Sequence, residues 1–220
     1  MSAVATRPRG ARKASSASDD TRYWKIVFFT NGLVPLIFLI SDWYQGALGA
    51  NPIDYVTRAT GTLALLFLAL TLAVTPLRML TGWGTLNKLR RMVGLYAFFY
   101  TTLHLLTYLW WDQELALGAA VSDVLKRKFI AVGLAAWLIM LPLAITSTNG
   151  MIKRLGGKRW KWLHRLTYVA AGLGVLHFYM LLKVPTRKLW NYGLLIAALL
   201  AIRVAAWGVK QATRGSKKTP

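Results

Sequence analysis

Long apolar runs with charged or polar flanks dominate the chain from about residue 26 onward, and polar positions gather in short stretches between them. Six runs stand out: Ile26 to Trp43, Gly61 to Leu77, Met92 to Trp111, Phe129 to Ser147, Trp162 to Leu182 and Leu189 to Trp207. About 20 residues at about 1.5 Å each cross a hydrocarbon core about 30 Å thick, so each run reads as a membrane-spanning helix, the second being the shortest. The expected fold class is therefore all-α, an integral membrane bundle of six transmembrane helices. Pro35 and Pro142 fall inside the first and fourth runs, where kinks are expected, and Pro76 is expected to help end the second. Residues 1–22 read as a disordered basic tail, 23–209 as the membrane domain and 210–220 as a second basic tail. The basic N-terminal stretch lacks the apolar segment and small-residue cleavage site of a signal peptide.

Composition agrees with this reading. Of 220 residues 55% are hydrophobic, and 28 Lys and Arg stand against 7 Asp and Glu, a net charge of +21. A soluble chain so basic would suggest nucleic-acid binding, with its charges spread along polar faces. Here they cluster between apolar runs, so membrane lipid rather than nucleic acid is the expected partner. With both termini cytoplasmic, 21 of the 28 basic residues lie inside and five of the seven acids (Asp42, Asp54, Asp112, Glu114, Asp123) lie outside. That follows the positive-inside rule. Trp43, Trp110, Trp111, Trp160, Trp162, Trp190 and Trp207 fall near run ends and read as interfacial anchors. Cysteine is absent, which excludes disulfides, iron–sulfur clusters, thiolate zinc sites and covalent haem attachment.

The candidate chemistry lies in three histidines, His104, His164 and His177, all in or at the edge of spans. An ionisable group in lipid is costly unless partnered, so each is a functional candidate; the bland alternatives are helix-to-helix hydrogen bonding or a proton path. Depth separates the three. His104 is 13 residues past Arg91, about 20 Å along a helix, and His177 is 16 past Lys161, about 24 Å. His164 is three past Lys161, about 5 Å from that surface. A six-coordinate haem needs two imidazoles at one level on facing helices, so His104 and His177 are expected to be axial ligands of one outer haem b. His164 is left as either the ligand of a second haem, five-coordinate or opposite an unusual partner such as Met92 or Tyr96, or an interfacial hydrogen-bonder. On one straight helix His164 and His177 would point about 140° apart. Gly94, Gly172 and Gly174 read chiefly as helix-packing positions. Arg78, Arg90, Arg91, Lys161 and Arg165 suit haem propionates, a flavin phosphate or lipid headgroups.

Several short motifs together resemble the bacterial MsrQ (YedZ) proteins. They are Asn51-Pro52, Thr60-Gly61, Leu70-Thr71, Thr75-Pro76-Leu77-Arg78, Arg90-Arg91-x-x-Gly94-Leu95, Tyr100-x-x-x-His104, Ile145-Thr146-Ser147, Leu155-Gly156, and Trp160-x-x-Leu163-His164-Arg165-Leu166-x-Tyr168 with His177. The resemblance spans about residues 25 to 210. It implies a ferric-reductase-like transmembrane domain that acts as the haem b subunit of a bacterial inner-membrane electron-transfer system. The implied acceptor is a periplasmic molybdopterin-containing MsrP-like enzyme that reduces methionine sulfoxide in oxidised proteins. The implied donor is quinol or a cytoplasmic flavin reductase, and an inner FMN is implied as well, although the chain carries no flavin motif. The wider domain family holds two stacked haems between spans three and five; here Arg90 or Arg91 stands where the inner span-three histidine would be. On this reading sulfoxide reduction belongs to the partner. The rival readings are a self-standing ferric or oxygen reductase, against which the short stretch after span six counts, and a histidine-dependent proton or solute transporter without haem.

Overall fold

The computed structural model describes residues 9–182 and 186–216. In chain order the helices are α1 (Arg9–Tyr44), α2 (Pro52–Thr81), α3 (Thr85–Thr107), a π-helical turn (Tyr108–Asp112), α4 (Leu117–Lys126), α5 (Lys128–Ile145), α6 (Asn149–Leu155), α7 (Gly157–Leu163), α8 (Leu166–Leu181) and α9 (Arg187–Ser216). There is no strand among the described residues. Among the described residues five segments are long and apolar enough to cross a bilayer: Thr21–Tyr44, Pro52–Thr81, Thr85–Asp112, Lys128–Ile145 and Leu189–Ala206. Large apolar side chains such as Phe38, Leu138, Leu194 and Val204 point outward, more than half exposed. In water that surface would be prohibitive, whereas lipid is its natural solvent. The chain is a multi-pass membrane protein.

The expected fifth span differs in form. The run from Trp162 to Leu182 is not one helix: α7 ends at Leu163, His164 and Arg165 make a turn, and α8 begins at Leu166 with only 16 residues. The straight-helix angle of about 140° between His164 and His177 therefore does not apply. α1 takes in residues 9–22 and α9 residues 210–216, both within stretches the composition assigns to tails. Residues 1–8 and 217–220 of those tails, and the side chain of Trp207, lie outside the described residues.

Local signals fix the helix ends. Asn51 caps α2 by accepting the Asp54 N–H at 3.1 Å, Pro52 takes the first turn where no donor is needed, and Asp54 faces the positive helix end. Pro76 does not end α2, contrary to expectation. The helix continues to Thr81 and stops at Gly82, whose φ of +67° closes it in a left-handed cap. The continuation is tolerated because the Leu72 carbonyl, which loses its helical donor at Pro76, accepts the Arg203 Nη2–H of α9 at 2.6 Å.

Two helix pairs make the frame. α2 lies along α3 and α5 along α8; α3 touches α5, and α9 closes on α2 and α8. α1 docks on α3 through the phenol of Tyr100, which donates to the Gly32 carbonyl at 2.7 Å, and that of Tyr96, which donates to the Phe29 carbonyl. One end of the bundle carries α4, the other carries α6 and α7.

Candidate functional site

His104 lies near the last turn of α3 and His177 near the last turn of α8, both toward the α4 end. The frame brings these two rings together, centroids 6.0 Å apart and planes at 78°. Each ring is held the same way by its neighbouring helix. His104 Nδ1–H donates to the Thr57 carbonyl of α2 at 2.9 Å, and His177 Nδ1–H donates to the Phe129 carbonyl of α5 at 2.7 Å. A carbonyl only accepts, so in both neutral rings the proton sits on Nδ1 and the lone pair on Nε2. One helical turn beyond each acceptor stands a glycine, Gly61 after Thr57 and Gly133 after Phe129. A Cβ on Gly61 would fall 3.1 Å from the His104 ring, and one on Gly133 only 2.8 Å from His177 Nδ1. These two positions need glycine because an imidazole lies against their backbone. The Thr57 hydroxyl is buried beside this site with no hydrogen-bond partner.

Just beyond His104 the chain enters the π-helical turn, a local widening often found beside functional residues. Its first residue, Tyr108, donates its phenol O–H to Asp123 Oδ2 at 2.7 Å, and Arg127 pairs with the same carboxylate. The Arg127 hydrogen bond, with a further one from Tyr108, holds the Asp123 carboxyl below its ordinary value, and the carboxylate in turn raises the Arg127 guanidinium. This cluster ties α4 to the end of α3. At the same end Trp43 stacks on Trp111, centroids 5.3 Å apart.

His164 is not part of the pair. It lines a separate cavity of about 530 Å³ toward the α6–α7 end, with Arg90, Arg91, Gly94, Phe98 and Met140. Its Nε2 lies 3.3 Å from the Thr146 hydroxyl, whose own proton goes to the Pro142 carbonyl at 2.6 Å, so Nε2–H is the donor and the lone pair lies on Nδ1. Trp160, expected as a surface anchor, instead stacks on His164 at 3.9 Å and donates its indole N–H to the Thr146 carbonyl. Met92 and Tyr96, the expected partners opposite His164, belong to the opposite face of α3. They pack with Leu33, Leu36 and Tyr100 toward α1, while Arg91, Gly94 and Phe98 face the cavity. Among the described residues no three His, Cys, Asp or Glu converge, so the arrangement offers paired imidazoles rather than a metal cage.

The sequence points to no site role for Gly61, Gly133 or Arg203. Of the glycines it does single out, Gly94 and Gly174 meet side chains of α2 at ordinary packing distance and Gly172 faces open space. Arg203 carried its own signal, a full charge inside the Leu189 to Trp207 run.

The model for ferric reductase like transmembrane components matches residues 60–175, slightly more than half of the chain. The chain is 50% identical over 186 residues to the protein-methionine-sulfoxide reductase heme-binding subunit MsrQ of Herminiimonas arsenicoxydans, covering 83% of this chain and 85% of that protein. The chain belongs to the MsrQ family. The MsrQ of Rhodospirillum rubrum is 47% identical over 190 residues, 86% of this chain and 91% of its own length. The magnetosome protein MamZ of Magnetospirillum gryphiswaldense is 42% identical over 190 residues, 84% of this chain but 29% of that protein. In this MsrQ-family chain the matched segment holds His104 and His164 and ends two residues before His177.

Proposed function

We propose that the chain is a six-span membrane cytochrome b that carries electrons outward across the bacterial inner membrane, with α8 as its short fifth crossing and both termini cytoplasmic. His104 and His177 would hold its haem iron. The observation that carries this reading is the 6.0 Å between their ring centroids. Metal–imidazole bonds of about 2 Å on both sides of one iron, plus about 1 Å from each nitrogen to its ring centre, require about that separation. The free nitrogens are the right ones, since Nδ1 is spent on Thr57 and Phe129. The glycines at 61 and 133 keep the flanking backbones clear of any Cβ, so the residues present fit the group.

When bound, haem supplies a one-electron iron couple at this level of the membrane. The chain supplies the rest. The two carbonyls fix ring orientation and tautomer, and a hydrogen bond on the far nitrogen raises the basicity of the ligating one. The apolar helix surfaces exclude water. The electrons come from a quinol or a cytoplasmic flavin reductase and go to a periplasmic molybdenum-dependent methionine sulfoxide reductase. Sulfoxide reduction belongs to that partner. The relatives' own description as heme-binding subunits of a protein-methionine-sulfoxide reductase supports this assignment. FMN, implied by resemblance alone, is assigned no residue.

His164 supports a second haem: its cavity of about 530 Å³ has the size of a cofactor site, and Arg90, Arg91, Lys161 and Arg165 on its wall suit carboxylates. His164 would hold that group through Nδ1, since its Nε2 is engaged by Thr146. An optical spectrum of the purified protein, oxidised and dithionite-reduced, with haem counted per chain, tests both sites. Absence of a Soret band rejects the cytochrome reading. A count of two that falls to one in His164→Ala establishes the second site.

A further inference from the structure

A smaller cavity of about 340 Å³ opens at the α6–α7 end and carries three arginines, Arg78 of α2, Arg90 of α3 and Arg203 of α9, together with Asn87 and Tyr168. Arg203 is fixed in place. Its Nη1 donates to the Tyr168 phenol oxygen at 2.7 Å, its Nη2 to the Leu72 carbonyl at 2.6 Å, and its guanidinium lies 5.2 Å over the Tyr168 ring. Its Nε–H is buried and has no partner. Among the described residues none of the three arginines meets a carboxylate. The two ion pairs there, Arg58 with Asp54 and Arg127 with Asp123, are at the opposite end of the bundle. Three cations on one small wall repel each other, and a partly buried guanidinium with a free donor is costly unless an anion answers it.

Arg203 and Arg78 also lie near the ends of their membrane-spanning stretches on the same side of the bundle. Arg203 is three residues before the end of the apolar Leu189–Ala206 stretch, and Arg78 three before the end of α2. That is headgroup level. Guanidinium forks match phosphate oxygens, and a phosphoryl group answers several cations with one compact occupant. We propose that the Arg78–Arg90–Arg203 cavity binds a phosphate group, supplied either by an anionic phospholipid or by free phosphate. The site is separate from the His104–His177 pair, and it shares only Asn87, Arg90 and Tyr168 with the wall of the His164 cavity.

The test uses full-length protein purified in neutral detergent and follows the thermal-unfolding midpoint during titration with inorganic phosphate, with phosphatidylglycerol micelles and with neutral diacylglycerol micelles. A saturable rise with phosphatidylglycerol alone identifies a lipid phosphate, and a rise with inorganic phosphate identifies the free anion; both support the site. Arg203→Gln should abolish the rise. Arg78→Gln, at an exposed helix end where folding is not at risk, should weaken apparent affinity about tenfold, the loss of one charge-assisted hydrogen bond. No saturable rise, an equal rise with the neutral lipid, or unchanged affinity in both variants overturns the proposal. So does loss of haem in Arg203→Gln with its anion response intact.

Discussion

The His104 ring stands at 78° to the His177 ring, 6.0 Å away, and both rings are anchored through Nδ1 to a carbonyl of the next helix. Two histidines 73 positions apart in sequence thus present equivalent nitrogens to the same space. Either ring alone would be an ordinary helix-to-helix hydrogen-bonder. Their mutual orientation makes a ligand pair the economical reading.

Gly133→Ala is expected to disturb the site more than Gly61→Ala. The new methyl would meet His177 Nδ1 at 2.8 Å, against 3.1 Å at His104. Overpacking of this kind costs about 1–3 kcal/mol. Haem content and the reduced-minus-oxidised spectrum of the two variants should rank them in that order, and equal spectra would contradict it.

His104→Ala and His177→Ala should each abolish the low-spin spectrum of the outer haem, whereas His164→Ala should leave it intact, since His164 lines a different cavity. Redox titration followed at the α band separates the three variants.

The apolar runs marked the cores of α1, α2, α3, α5 and α9, because membrane spans announce themselves by composition, although the helices run on past them: α2 starts at Pro52 rather than Gly61 and α9 ends at Ser216 rather than Trp207. Equal depth from the basic flanks also paired His104 with His177. The break at His164–Arg165 was hidden, because neither residue is a helix breaker and the turn comes from packing around Thr146 and Trp160. The two acceptors at 57 and 129 were invisible for another reason: backbone carbonyls belong to every residue type, and only tertiary packing selects which will be used. Pro76 looked like a terminator because a sequence does not show that an arginine 127 positions later answers the freed carbonyl of Leu72.

That last contact predicts energetic coupling. Arg203→Met leaves the Leu72 carbonyl unsatisfied, at a cost of about 1–3 kcal/mol. In a Pro76→Ala background the restored backbone N–H at that position donates to Leu72 instead, so the same substitution should cost about 1 kcal/mol less. A double-mutant cycle of thermal unfolding in detergent measures the difference, and strict additivity would show that the two residues act independently.

The Asp123 cluster predicts a pH window. Its carboxyl is held below the ordinary aspartate value of 3.8, chiefly by the Arg127 hydrogen bond. A depressed acid contributes its stability above the unfolded value and loses it as pH falls through the folded one. The difference in unfolding midpoint between the parent chain and Asp123→Asn should therefore be flat from about pH 8 to about pH 5 and shrink only in stronger acid. A change near neutrality would point to another group.

Because the histidine anchors are main-chain oxygens, a side-chain change at 57 leaves its acceptor in place and one at 129 removes only the Phe129 ring packed 6.1 Å from His177, while the phase of α2 and α5 sets where both acceptors lie. Inserting or deleting one residue between Thr57 and the middle of α2 would turn the acceptor by about 100° and move it by about 1.5 Å. Point substitutions at the acceptor positions should thus be mild where single-residue insertions are severe, so tolerance to length change, rather than to residue type, marks this part of the protein.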